Sequence, residues 1–155
     1  MSNQELRYTI NESKEKEIHL HLKECSDYFI PCLNKTIDIV NYSNKIFDKA
    51  VRFEVWSKGI LVGLLAVYLN NLNDRIGYIT NVSVLNSYSG RGIASCLIKN
   101  CIEYAIEKKF KEIVLEVNNK NESAINLYKK FSFTEKIKNN NNVTMSLTII
   151  KNNQI

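Results

Sequence analysis

The chain contains few of the residues that break or cross-link a fold. Its 155 residues include one Pro, five Gly and four Cys. So few turn-forming residues exclude collagen-like and low-complexity proteins. No two of Cys25, Cys32, Cys96 and Cys101 form a Cys-x-x-Cys pair, so we expect neither a disulfide framework nor a metal site. The length suits one domain with its own core, which we predict over residues 1–155.

Long apolar stretches are also missing. No run approaches the roughly 20 residues that a membrane-spanning helix needs, and residues 1–5 show no basic stretch leading into an apolar segment. The net charge of +5 favours an anionic ligand, but no basic stripe with interleaved aromatic residues is present. We therefore expect a cytoplasmic monomer or homodimer that binds neither membranes nor nucleic acid.

The two histidines do not suggest a metal site. His19 and His21 lie two residues apart in a segment where the apolar spacing of Ile18, Leu22 and Cys25 indicates a helix. Side chains two apart on a helix point to different faces and cannot chelate one ion together. We interpret both histidines as surface or packing residues.

The apolar periodicity predicts a mixed α/β fold. The first half is expected to contain a strand at 6–10, a short helix, a helical region at 37–50 interrupted at 41–44, a hairpin of strands 51–56 and 60–68, and a strand at 75–84. The second half is expected to contain a helix from 93 to about 110, a strand at 112–117 and a helix capped by Asn121. A closing hairpin of 133–137 and 143–150 and a loose tail at 151–155 complete the order. The two strands that flank the helix from residue 93 should be parallel, with a right-handed crossover.

A glycine loop lies between a strand and a helix at Gly90-Arg91-Gly92. Glycines there let backbone N–H groups approach a ligand, and the helix N-terminus favours an anion such as phosphate. The chain lacks the Gly-Lys-Ser/Thr of a P-loop. It also lacks the third glycine of a dinucleotide fingerprint, and the loop follows an antiparallel run. Both of those nucleotide sites are therefore disfavoured.

Two motifs together resemble the GNAT N-acetyltransferase superfamily. Residues 82–84 with 89–94 resemble its acyl-CoA signature. The second block is resembled, at the expected distance, by residues 115–117, Asn121, Ala124, Leu127, Tyr128 and Phe133. Two positions depart from the pattern: Ser89 replaces the usual Arg or Gln, and Ser132 replaces a Gly before Phe133. The resemblance implies a twisted, mostly antiparallel sheet with a central parallel pair and helices on both faces.

The resemblance also implies acetyl-CoA as co-substrate. Backbone groups of one strand would hold the pantetheine arm and acetyl carbonyl, loop amides would bind the pyrophosphate, and an asparagine would lie near the pantetheine. The implied cofactor-binding residues are Val82, Ser83, Val84, Ser89, Gly90, Arg91, Gly92, Ile93, Ala94 and Asn121.

Acetylation of an amine needs a proton for the departing thiolate and a base for the amine. The resemblance assigns the proton to Tyr128, and a Tyr with an ordinary pKa near 10 is protonated at neutral pH. Core packing is the alternative role for Tyr128. The base is chosen from Glu54, Tyr78 and Glu116, with Glu54 our first choice, and Asn81 is a candidate to contact the acceptor.

We therefore expect direct acetyl transfer, in a ternary complex, from acetyl-CoA to a primary amine of a small molecule. A protein or peptide amine is the alternative acceptor, and a non-catalytic acyl-CoA sensor is the alternative function. No cysteine is placed as a nucleophile, because Cys96 and Cys101 lie in the predicted helix with no histidine nearby in sequence.

Overall fold

The computed structural model describes residues 5–35 and 37–149. The helices are α1 (Glu15–Cys25), α2 (Ile39–Lys49), α3 (Ile93–Glu107) and α4 (Glu122–Lys130). The strands are β1 (Arg7–Ile10), β2 (Val51–Ser57), β3 (Ile60–Tyr68), β4 (Ile76–Val84), β5 (Glu112–Asn118), β6 (Thr134–Lys138) and β7 (Asn142–Thr148). The expected tail at 151–155 and the last residue of the final strand lie outside the described residues.

The strands form one sheet in the order β1-β2-β3-β4-β5-β7-β6. The β4–β5 pair is parallel and is joined through α3, and the other pairings are antiparallel. Strand β7 lies between β5 and β6, so the closing hairpin joins the sheet through its second strand. The predicted mixed sheet with one parallel pair is confirmed, and a single domain over residues 1–155 stays a prediction.

Each face of the sheet carries its own apolar core. Helices α3 and α4 cover one face with side chains such as Leu97, Ile98 and Tyr128. Helices α1 and α2 cover the other face with Ile18 and Ile46 among others. The expected helices on both faces are therefore confirmed. No helix in the described residues is long and apolar enough to cross a membrane.

Helix α2 differs from the prediction because it runs without interruption through the polar stretch at 41–44. Asp38 caps its N-terminus by accepting hydrogen bonds from Val40 N at 3.0 Å and Asn41 N at 3.3 Å. The Ser43 hydroxyl is buried and donates to Ile39 O at 2.7 Å, one turn back in the same helix. A serine that bonds within its own helix does not break it. The polar residues here are one face of a helix, not a loop.

Candidate active site

A groove opens in the sheet where β4 and β5 diverge. Their parallel register runs from Ile76 opposite Glu112 to Ile79 opposite Leu115, and no further pairs join them in the described residues. A cavity of about 170 Å³ lies at the point of separation. It is lined by Phe29, Ile30, Ile79, Thr80, Asn81, Val82, Leu115, Glu116, Val117, Asn118, Asn121, Ala124 and Tyr128. The cavity thus brings Val82 of the first motif together with residues of the second, and the glycine loop at 89–94 is not part of this lining.

A bulge at Thr80 accompanies the separation of the two strands. Strand β3 pairs with the residues on either side of Thr80 but not with Thr80 itself. An extra residue of this kind bends a strand and increases its local twist. The Tyr42 hydroxyl of α2 donates to Thr80 O at 2.6 Å and lies 2.7 Å from Thr80 Oγ1. Helix α2 therefore holds the bulge in place.

The second half of β4 presents a free backbone edge to the groove. Val82, Ser83 and Val84 pair with β3 on one side. On the side facing β5 they have no strand partner among the described residues. Unpaired N–H and C=O groups along a strand edge are available to an extended ligand. This edge has the geometry that the resemblance implied for the pantetheine arm.

The glycine loop forms an open cradle at the start of α3. Gly90 has φ +79° and Gly92 has φ +78°, values that favour glycine, and a Cβ at either position would meet no atom within 4 Å. Gly92 is the N-cap residue, and α3 has no side-chain cap and no acidic residue in its first turn. Ile93 and Ala94 begin this helix, so their N–H groups belong to the unsatisfied first turn. The cradle therefore suits the anionic pyrophosphate of acetyl-CoA.

The side chains beside the cradle show what Ser89 does at the position where the family pattern has Arg or Gln. The Ser89 hydroxyl donates to Asn86 O at 2.8 Å and so braces the loop. Arg91 places its guanidinium 4.7 Å from the centre of the Tyr88 ring and donates to Ser87 O at 3.3 Å. This exposed cation lies within the loop itself. It can supply positive charge that Ser89, in place of Arg or Gln, does not.

Tyr128 lines the groove from α4, opposite β4. It is 8% exposed, and its ring packs against Phe133 with centroids 5.8 Å apart. Burial raises its pKa above the ordinary value of 10, so the hydroxyl is protonated at neutral pH. Asn121 starts this helix by accepting a hydrogen bond from Ala124 N at 3.3 Å. The predicted cap is confirmed, and the cap fixes the start of the helix that carries Tyr128.

Glu116 lines the same groove from β5, with an exposed side chain. Tyr78 is 40% exposed on β4. Partial burial is the main cause that raises the pKa of Tyr78, and the negative charge of Glu116 adds to the increase. The structure therefore brings two of the three candidate bases close to each other, with Glu116 in the groove wall.

The structure does not place Glu54 in this groove, which corrects our first choice of base. Glu54 is completely buried beneath α1. Its carboxylate accepts hydrogen bonds from the Thr9 hydroxyl at 2.7 Å, from Glu12 N and Ser13 N at 2.9 Å each, and from the Ser13 hydroxyl. The Arg52 guanidinium lies 3.4 Å away. A carboxylate with all these partners and no solvent access holds β1, β2 and the start of α1 together.

Sequence reasoning missed the part of the groove wall formed after α1. Phe29 and Ile30 lie beside a 3₁₀ turn at Ser26–Tyr28 and reach the cavity from the far side of the sheet. The available signal was an apolar pair followed by Pro31, in a segment with neither strand nor helix periodicity.

No group of His, Cys, Asp and Glu suited to a metal ion occurs in residues 5–35 and 37–149.

Comparisons with known proteins agree with this geometry. A family model described as the acetyltransferase (GNAT) family matches residues 12–133. The chain is 33% identical over 82 residues to N-alpha-acetyltransferase MAK3 of Arabidopsis thaliana, a match that covers 52% of this chain and 43% of that protein. The chain thus spans less than half the length of this curated relative.

Solved structures share the fold at low sequence identity. The ribosomal-protein-S18-alanine N-acetyltransferase of Escherichia coli has a TM-score of 0.72 at 15% identity, covering 96% of this chain and 99% of that one. A Bacillus subtilis acetyltransferase solved in complex with CoA also has a TM-score of 0.72, at 17% identity, covering 94% of this chain and 100% of that one. The family model includes both motifs and most of the chain. The protein therefore belongs to the acetyltransferase (GNAT) family.

Proposed function

We propose that the protein transfers the acetyl group of acetyl-CoA directly to a primary amine of a small molecule, in a ternary complex. The observation that carries this proposal is one cavity with Tyr128 on one wall and Glu116 on another, beside the free edge of β4. A protonated phenol and a carboxylate in one groove can supply the two proton transfers that amine acetylation requires. We further propose a cytoplasmic location.

The roles of the chain's own residues follow from their placement. Acetyl-CoA supplies an activated acetyl thioester when bound. Loop amides at Gly90 and Gly92 bind phosphate oxygens, and the β4 edge at Val82 orients the acetyl end. Glu116 accepts the proton of the attacking amine, either directly or through a water molecule. Tyr128 donates its hydroxyl proton to the departing sulfur.

The size of the groove is compatible with a small acceptor. A cavity of about 170 Å³ admits a primary amine and the few atoms next to it. A peptide amine is the second candidate, because a further opening lined by Pro31, Asn119 and Lys120 shares Ile30 and Asn118 with the groove. An extended chain could lie along this continuation. Two similar proteins are named for N-alpha or ribosomal-protein acetylation, which favours the same candidate.

The test is a thiol-release assay with purified protein, acetyl-CoA and four acceptors: spermidine, glucosamine, and two tetrapeptides that differ only in whether the N-terminus is free or blocked. We expect turnover with a small amine, and mass spectrometry would identify the acetylated product. If only the tetrapeptide with the free N-terminus is acetylated, the acceptor is a peptide amine and not a small molecule. Binding of acetyl-CoA in calorimetry with no turnover of any acceptor would favour the non-catalytic sensor, and absence of binding would overturn the proposal.

A further inference from the structure

A buried histidine of α1 is hydrogen-bonded to the strand that forms the groove. His21 is 2% exposed, and its Nδ1 lies 2.9 Å from Leu61 O. A backbone carbonyl can only accept, so Nδ1 carries the hydrogen. Burial lowers the His21 pKa to about 4, so the ring is neutral at physiological pH and its Nε2 is an acceptor. That nitrogen lies 2.8 Å from the Ser83 hydroxyl, which therefore donates to it.

The same chain of hydrogen bonds continues from Ser83 to Asn81. The Ser83 oxygen, having donated its own hydrogen, accepts one from Asn81 Nδ2 at 2.9 Å. The second amide hydrogen of Asn81 is donated to Leu64 O at 3.1 Å. Turning the amide over would set its oxygen against the Leu64 carbonyl oxygen, so this orientation is the one the surroundings allow. Both donors of the amide are occupied.

The free atom of this amide is its oxygen. Asn81 lines the groove and is 5% exposed. Its Oδ1 has no hydrogen-bond partner among the described residues, and it is not among the fully enclosed polar atoms that lack one. Its accessible part therefore borders the groove. An amide oxygen with its own N–H groups occupied can only accept, so it selects a ligand group that bears hydrogen.

We propose that Asn81 Oδ1 accepts a hydrogen bond from the N–H of the bound amine acceptor, and that Ser83 and His21 are positioning residues that fix the amide for this contact. The inference rests on the proposed function and deepens it. The acceptor nitrogen would be held between Asn81 on β4 and Glu116 on β5. Asn81 therefore discriminates in favour of an acceptor that donates a hydrogen and against one that presents a bare oxygen.

A matched pair of bisubstrate compounds tests this contact without knowledge of the natural acceptor. The first is CoA joined through a thioether-linked acetyl group to the nitrogen of glycinamide, which carries an N–H at the reacting position. The second is the corresponding ester of glycolamide, with oxygen in place of that N–H. Calorimetry gives the dissociation constants of both compounds and of CoA. We expect the amide to bind the native protein about tenfold more tightly than the ester.

Three variants distinguish positioning from a merely structural role. Asn81→Ala should abolish the preference for the amide, and Ser83→Ala should reduce it several-fold. The preference is the ratio of the two dissociation constants within one variant, so a change in CoA binding that both compounds share cancels. Ser43→Ala is the matched control, because Ser43 is also a buried serine but bonds within α2. It should retain the full preference. A structural role alone would lower the melting temperature and leave the ratio of the two affinities unchanged.

The outcomes separate the two proposals. The inference would be overturned by equal affinities for amide and ester in the native protein, or by a preference that survives Asn81→Ala. If the native protein still binds CoA in that case, the proposed function stays in place. Failure of the native protein to bind CoA and both compounds would overturn the proposed function, and the inference with it.

Discussion

The Glu54 carboxylate lies 3.4 Å from the Arg52 guanidinium, and neither side chain is more than 5% exposed. Arg52 also donates to the Ser13 hydroxyl and the Ser13 carbonyl, each at 2.9 Å. The pair therefore anchors the start of α1 to β2 from inside the fold. Removing one charge from such a pair leaves the other buried without compensation.

Glu54→Gln should lower the free energy of unfolding by about 3 kcal/mol. The amide also turns a donor toward groups that are themselves donors, such as Glu12 N and Ser13 N. Urea denaturation measures the loss, and the exposed Glu107→Gln is the control. Unchanged stability with lost turnover would instead restore Glu54 as a catalytic candidate.

Tyr128→Phe should lower kcat about 100-fold, because it removes the proton donor for the sulfur and retains the packing against Phe133. The dissociation constant of acetyl-CoA should change less than about twofold by calorimetry. Tyr104→Phe is the matched control, since its ring makes a similar edge contact with Phe53 outside the groove. Full turnover by Tyr128→Phe would reduce Tyr128 to a core residue.

Gly92→Ala should weaken acetyl-CoA binding at least about tenfold, since the added Cβ occupies the open space in front of α3. Gly59→Ala provides the control. Gly59 has the same φ of +78° and the same free space around a Cβ, but it lies in the β2–β3 turn. Both variants carry the strain of alanine in the left-handed region, roughly 1 to 2 kcal/mol. Equal losses of affinity would mean that strain, not the cradle, is responsible.

Glu116→Gln should lower kcat/KM about 100-fold, because the amide cannot accept the proton of the attacking amine. The measurement is initial rate against acceptor concentration with the best acceptor found, alongside acetyl-CoA affinity, which should be retained. Tyr78→Phe tests the neighbouring candidate. Native turnover by Glu116→Gln together with a large loss in Tyr78→Phe would assign the base to Tyr78.

His21 should make the protein less stable in acid. Its folded pKa of about 4 lies below the ordinary value of 6.5, so the unfolded chain binds more protons between these two pH values. The free energy of unfolding therefore keeps its full value above about pH 6.5 and falls by about 3 kcal/mol as the pH drops toward 4. Urea denaturation across this range measures it. His21→Gln should flatten the slope, and an identical slope in both proteins would show that other groups dominate.

Much of the fold could be predicted from local patterns. Alternating apolar residues located the strands, and the Lys58-Gly59 turn follows from the left-handed conformation that a tight hairpin needs. The helix start at Asn121 followed from side-chain capping. Local patterns misjudged 41–44, because the polar run there could not reveal that Tyr42 reaches Thr80 across 38 residues of chain.

Local sequence patterns are enough to locate most of the elements, their order, the glycine loop and the family motifs, because each depends on neighbouring residues. The roles of the polar side chains of the sheet follow instead from the packing of the folded chain. Glu54 and Glu116 both lie on strands, yet Glu54 is enclosed by donors from β1 and from the loop before α1, and Glu116 faces a groove. His21 and Ser83 are 62 residues apart in sequence and meet only when α1 packs on β4. Burial and hydrogen-bond partners are set by packing between distant segments, which no local pattern contains.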